Sequence, residues 1–151
     1  MLTYQCEPLK DCLDEVKALW LSHWQETEGY RAGLPFNPDY SRYLEYNDIG
    51  YYLLFTARDG KKMVGDIGMY VTVSMHTQTR IAQEDTLYLL PEARQGMNAW
   101  RFISFTEKYL VSVGVREINL TTKLANPKAA KLMQKMGYPI TANVHTKIIE
   151  A

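Results

Sequence analysis

The hydrophobic period of this chain switches repeatedly between helical and strand spacing, and the order of those switches restricts the fold more than any single motif. Between residues 9 and 28 the apolar side chains recur at threes and fours: Leu9, Cys12, Leu13, Val16, Leu19 and Trp20, continuing toward His23 and Trp24. That is the stripe of an amphipathic helix. Pro8 sits at a first-turn position, and Asp11, Asp14 and Glu15 stand where the helix dipole favours acids. A breaker-rich loop, Gly29 to Pro38, leads into a shorter, tyrosine-rich helix over Asp39–Asn47. The period then drops to two. Tyr51–Ala57 and Met63–Met75 read as strands joined by an Asp59-Gly60 hairpin turn, and Thr86–Leu90 is a further strand after the polar stretch His76–Arg80. Thr3–Glu7 supplies a short strand ahead of the first helix. Helical spacing returns over Met97–Val113 and stops at Gly114. A strand at Glu117–Thr121, a helix at Pro127–Met136 ended by Gly137, and a last strand at Val144–Ile149 complete the pattern.

Antiparallel strands followed by a strand–helix–strand crossover make a mixed α/β protein with a largely antiparallel central sheet flanked by helices. With 151 residues, 46% of them hydrophobic, the expectation is one domain spanning 1–151 with a core large enough to need no staples. Seventeen basic residues balance seventeen acidic ones, so the basic excess typical of nucleic-acid or anionic-membrane binders is missing. Cys6 and Cys12 form no disulfide framework, and no His, Cys, Asp or Glu spacing suggests a metal. The first fifteen residues lack a signal-peptide pattern, and no apolar run is long enough to span a bilayer. These features together lead us to expect a protein of the reducing cytoplasm, away from membranes.

The joint between the strand Thr86–Leu90 and the following helix carries the most chemistry. A strand that feeds a tight turn and then a helix N-terminus gathers unpaired backbone N–H groups at one point, with positive potential behind them; such a site takes a pyrophosphate. Here the joint reads Leu89-Leu90-Pro91-Glu92-Ala93-Arg94-Gln95-Gly96-Met97-Asn98-Ala99. Gly96 and Ala99 are small enough to let a ligand approach the backbone. The Gly-Lys-Ser/Thr ending of a P-loop is absent.

This pattern resembles the GNAT superfamily of N-acetyltransferases, and the resemblance runs from Thr3 to Ile149. The family's loop, Arg/Gln-x-x-Gly-x-Gly/Ala, is matched by Arg94 at its first position and Ala99 at its last, with Met97 at the central Gly and Gly96 beside it. Its second motif, Asn-x-x-Ala followed by Gly-Phe/Tyr, is matched by Asn126, Ala129, Gly137 and Tyr138. Arg94-x-Gly96 and the His23-Trp24 pair are most similar to small phage- and prophage-type members. The resemblance implies acetyl-CoA as cofactor, held by Leu89, Leu90, Arg94, Gln95, Gly96, Met97, Asn98, Ala99 and Asn126. It also implies direct transfer to a primary amine on a small molecule or a protein, and leaves room for a homodimer. His23, Trp24 and Glu26 would line the acceptor pocket. An unpaired N–H near Leu89 or Leu90 would polarise the thioester. A carboxylate on the preceding strand would accept the amine's proton, Asp85 first and Glu84 in reserve, because alternation sets Asp85 with Leu87 and Leu89 and sends Glu84 to the other face. Met133 occupies the position where many members place a proton-donating Tyr. That substitution, with Met97, favours as the alternative a non-catalytic protein of the same fold that binds CoA or a host protein. A third reading, transfer to nucleobases or nucleic acid, is weakened by the zero net charge.

Overall fold

The computed structural model describes residues 1–31 and 33–150. Its five strands lie in the order of the chain: β1 (Thr3–Cys6), β2 (Tyr52–Asp59), β3 (Lys62–Val73), β4 (Arg80–Leu89) and β5 (Val115–Asn119). The first four pair antiparallel and β5 joins β4 in parallel. This is the mixed, mostly antiparallel sheet read from the sequence. Helices α1 (Leu9–Thr27) and α2 (Tyr40–Asp48) separate β1 from β2, α3 (Asn98–Ser112) makes the β4–β5 crossover, and α4 (Pro127–Lys135) follows β5.

The sheet divides the core in two. On one side, Phe55, Ile67, Met69, Val71, Ala82 and Leu89 pack with Phe102, Ile103 and Leu110 of α3 and Met133 of α4. On the other, the α1 stripe of Leu9, Cys12, Val16, Leu19 and Trp20 packs with Tyr52, Leu54, Met63 and Tyr88. The α1 helix is kinked at Cys12, which has φ −138° and ψ 23°, yet its buried residues keep the three-and-four spacing. Gly68 shows how close the packing on this second side is. A Cβ there would overlap the Tyr52 hydroxyl and crowd Thr86 Oγ1.

Three expectations are corrected. β4 begins at Arg80, six residues before the predicted Thr86, because Arg80–Gln83 find partners on both β3 and β5. Val144–Ile149 forms no strand; Val144 and Ile149 are 81% and 71% exposed. Alternation gives that segment strand propensity, but a strand also needs a neighbour, and none pairs with it among the described residues.

The third correction concerns facing. Nine residues of β3, Gly65 to Val73, run against ten of β4, Arg80 to Leu89. The extra residue falls at Asp85, between the pairs Gly68–Thr86 and Met69–Glu84. A bulge of this kind breaks the two-residue period. Asp85 therefore does not share a face with Leu87 and Leu89, which pack on the α3 side. It faces α2 instead, together with Thr86, and its neighbour Glu84 sits opposite Met69.

Candidate active site

The β4–β5 ladder ends at Gln83–Asn119, although β4 continues to Leu89. Beyond that point the two parallel strands part, and β4 turns a bare edge to the gap. The Leu90 amide donates to the Val64 carbonyl at 2.8 Å, which fixes the alternation of the ladder. Leu89 and Leu87 accordingly turn their N–H and C=O groups away from β3, toward the gap. Of the two residues considered for a free N–H, Leu90 is thus engaged and Leu89 is placed to offer one.

The gap leads to the turn at the start of α3. Pro91–Ala93 forms a single 3-10 turn, Gly96 adopts φ +62°, and α3 starts at Asn98. Nothing lies within 4 Å of where a Cβ of Gly96 would be. The other helices have their first amides served by side chains: Asp39 Oδ1 accepts from Arg42 on α2, Asn126 Oδ1 from Ala129 on α4, and Asn47 Oδ1 from Leu9 on α1. Among the described residues, no side chain caps α3. Its unserved N–H groups and dipole suit an anion. Asn98 braces the turn, donating from Nδ2 to the Ala93 carbonyl at 3.0 Å and accepting at its own carbonyl from Tyr4 Oη at 3.2 Å. Gln95 and Met97 lie exposed around Gly96, while Ala99 packs against the core. Asn126 is engaged as the α4 cap.

Arg94 is tied down on both sides. Its guanidinium forms a two-pronged ion pair with Glu26 of α1, at 2.8 and 2.6 Å, and its Nε donates to the Leu89 carbonyl at 2.8 Å. It also lies over the Tyr88 ring, 5.3 Å from the centroid. The pair holds the Glu26 carboxyl below the ordinary carboxylate range. Across the gap, Lys123 on the loop after β5 pairs with Glu28 at 3.0 Å. The end of α1 is thus linked to both lips of the opening.

Of the two residues read as a pair on α1, only His23 enters the site. It stacks on Tyr88 with centroids 4.7 Å apart, and burial pushes its pKa down, favouring the neutral imidazole. Trp24 turns toward Phe36 and lines a hollow of about 350 Å³ with Gly29, Gly33, Leu34 and Pro35.

The carboxylates stand where β4 bulges. Asp85 Oδ2 accepts from Tyr43 Oη of α2 at 2.8 Å, and Tyr70 Oη lies 3.3 Å from the same phenol. Burial raises the Asp85 pKa against the opposing effect of that hydrogen bond. Burial, reinforced by Asp85, pushes Glu84 up to about 8. A third acid, Asp66, is fully buried; it accepts from Trp20 Nε1 at 2.9 Å and from Thr86 Oγ1 at 2.5 Å, and burial pushes it up to about 6. Sequence reasoning passed over Asp66, although a lone acid inside the apolar strand Met63–Met69 was a readable signal. It saw Tyr43 only as one tyrosine among several. Met133 is buried in the core on the α3 side and offers no proton.

No curated protein sequence is recognisably similar to this one. Solved structures are. A ribosomal-protein-alanine N-acetyltransferase from Brucella melitensis biovar Abortus 2308 superimposes with a TM-score of 0.76 at 18% identity, over 100% of this chain and 98% of that one. AAC(6')-Iy, solved with the bisubstrate analogue CoA-S-monomethyl-acetylneamine, gives 0.72 at 18% identity over 100% and 99% of the two chains. An aminoglycoside acetyltransferase from an uncultured soil metagenomic sample, solved with sisomicin, gives 0.72 at 15% identity over 99% and 95%. At these identities the likeness is one of fold. The sequence itself carries the assignment: residues 12–138 match the profile of the acetyltransferase (GNAT) family, and the chain belongs to that family of acetyltransferases.

Proposed function

We propose that this chain is a single-domain, acetyl-CoA-dependent N-acetyltransferase that moves the acetyl group to a primary amine in one ternary complex. The observation that carries the proposal is the combination of an uncapped α3 N-terminus with the bare β4 edge leading to it. The family's donor is acetyl-CoA, and these residues fit it. The amides around Gly96 to Ala99 face a diphosphate, with Gln95, Met97 and Asn98 as the walls of the turn. Leu89 presents backbone groups to the amides of the pantetheine arm, beside Leu90, and Asn126 borders the arm from α4. Arg94 exchanges Glu26 for the phosphates.

When bound, acetyl-CoA supplies an acetyl group on a thioester, which an uncharged amine takes as the carbon–sulfur bond breaks and the thiolate leaves. Asp85 faces the α1–α2 side and accepts the proton lost by the amine nitrogen, directly or through one water. Tyr43 holds that carboxylate by its hydrogen bond. Leu89 directs an N–H toward the gap, where a thioester carbonyl gains negative charge. Water returns a proton to the thiolate, since Met133 has none to give. His23 and Glu26 border the amine, and Glu84 is the reserve base.

AAC(6')-Iy and the metagenomic aminoglycoside acetyltransferase support a small amine as acceptor, and the Brucella enzyme supports a protein amine. The Arg94-x-Gly96 and His23-Trp24 features support a small phage-type member working in the cytoplasm. Calorimetry with acetyl-CoA, followed by a thiol-release assay across amines, tests the reading. Binding with turnover upholds it. Binding without turnover on any amine leaves the non-catalytic alternative, which Met97 and Met133 favour, and absence of binding rejects both.

A further inference from the structure

The three carboxylates at the bulge lack something the rest of the chain provides. Arg58 pairs with Glu7 and Glu15, Arg94 with Glu26, and Lys123 with Glu28. Among the described residues, Asp66, Glu84 and Asp85 have no ion-pair partner; the first and last receive hydrogen bonds only from neutral Trp, Thr and Tyr groups. Buried carboxylates without a cation are costly, and proteins normally pair or neutralise them. Two fully buried polar atoms beside them also go unmatched: Asp66 Oδ1 and the Tyr52 hydroxyl have no hydrogen-bond partner. The Tyr52 hydroxyl points over Gly68 to Thr86, the residue after Asp85, so it is directed into the same acidic group.

The walls have matching chemistry. Tyr43, Tyr51 and Tyr70 form a cluster of rings with centroids 5.8 to 6.4 Å apart along the chain of contacts, and all three are only partly covered. Among the described residues, cationic side chains lie over Tyr30, Tyr40, Tyr88 and Trp24, but over none of these three. Phenol faces next to unpaired carboxylates attract alkylammonium groups and repel anions.

Resting on the acetyltransferase reading above, we infer that the acceptor is a small polycation: an amine carrying at least one further ammonium group, which lies among Tyr43, Tyr51 and Tyr70 on the face of β4 that carries Asp85. One nitrogen, uncharged, is the nucleophile at Asp85. A second, charged, supplies the countercharge the fold leaves out. A lone amine satisfies the first role and leaves the second empty.

The test follows thiol release from acetyl-CoA with hexylamine, hexane-1,6-diamine and the aminoglycoside sisomicin. At least one polycation is expected to exceed hexylamine in kcat/KM by about tenfold or more, and the faster of the two tells whether the charges belong on a linear or a ring-bound acceptor. Hexylamine turning over as well as either polycation overturns the inference and leaves the acetyltransferase reading standing. A protein that binds acetyl-CoA but turns over none of the three defeats that reading instead. Calorimetry with hexamethonium, a dication that cannot be acetylated, then decides the inference separately. Binding that weakens in Tyr70→Leu, or in Tyr51→Leu if the first variant fails to fold, supports it; no binding to the wild-type protein overturns it.

Discussion

On the α3–α4 side of the sheet the packing is carbon and sulfur, from Phe55 and Met69 to Leu110 and Met133, and the one buried hydroxyl, Thr106, is returned to its own helix at Phe102. On the α1–α2 side, the same strands present Tyr52, Asp66, Tyr70, Thr86 and Tyr88 to Trp20, His23 and Tyr43. The fully buried centre of the first side has no titrating group among the described residues, and its polar groups, such as the Tyr4 and Tyr138 hydroxyls, lie at its margin; the second side carries Asp66 at its centre. One face can relax only by losing volume, whereas the other can lose a charge, a proton or a donor while keeping its shape. Substitutions on the first should register in stability, and those on the second in chemistry.

The sharpest test of that division is Asp85→Asn, which keeps the volume and removes the proposed base. Turnover should drop about 10² to 10⁴-fold, with acetyl-CoA affinity nearly unchanged. Wild-type kcat/KM in this variant would end the role assigned to Asp85. Glu84→Gln should be milder, because Glu84 faces the opposite side of β4.

Phe102→Ala is the counterpart on the apolar face. The ring is 1% exposed and stacks on Tyr4 at 5.3 Å. Denaturant titration should show a loss of about 3 to 5 kcal/mol, and the fraction that stays folded should keep its pH profile. A changed pH profile would break the separation of the two faces.

Gly96→Val examines the turn that neither face contains. The left-handed φ of +62° strains a β-branched residue, and its side chain would occupy the open space beside the turn that a diphosphate needs. Acetyl-CoA should bind at least about tenfold more weakly, or roughly 1.4 kcal/mol. An unchanged dissociation constant in a folded variant would move the diphosphate elsewhere.

The last test is a pH dependence of stability. Burial lifts Glu84 from 4.5 to about 8 and Asp66 from 3.8 to about 6. The folded chain therefore holds protons that the unfolded chain releases across this range. Their stabilising contribution is complete below the unfolded values and is lost as pH rises through the folded ones. Tm should be lower at about pH 8.5 than at about pH 5.5, and Glu84→Gln should flatten the upper part of that slope. A Tm that rises over the same range would mean that both acids are ionised in the folded protein.

Element types and their order were readable because burial on one face imprints its period on the chain. Leu9 to Trp20 and the strands β2 and β3 needed nothing beyond that rule. The joint at Arg94–Ala99 was readable for a related reason, since backbone amides at a helix start depend little on distant partners. The facing of Asp85 was not readable: it depends on how many β3 residues lie opposite, and one strand's sequence does not contain its partner's count. The idle segment Val144–Ile149 failed in the same way, having propensity but no neighbour. The ties of Arg94 to Glu26 and of Tyr43 to Asp85 span 68 and 42 residues, beyond the reach of any local pattern.

The bulge has a consequence for how this site can be gained or lost. In a regular strand no two successive residues point the same way, yet Asp85 and Thr86 both face α1 and α2. Glu84 and Thr86 hold the facings they would have in an unbroken ladder, so Asp85 is in effect an insertion that disturbs neither neighbour. Deleting that one codon would bring nine residues against nine and heal the ladder, leaving every other side chain on its present face. An insertion or deletion at Ala82 would instead throw the start of β4 out of phase and reverse the facings of Arg80 and Ile81. At this position a length change is gentler on the fold than on the chemistry, so the carboxylate we propose as proton acceptor is open to gain or loss in an already folded sheet in a single step.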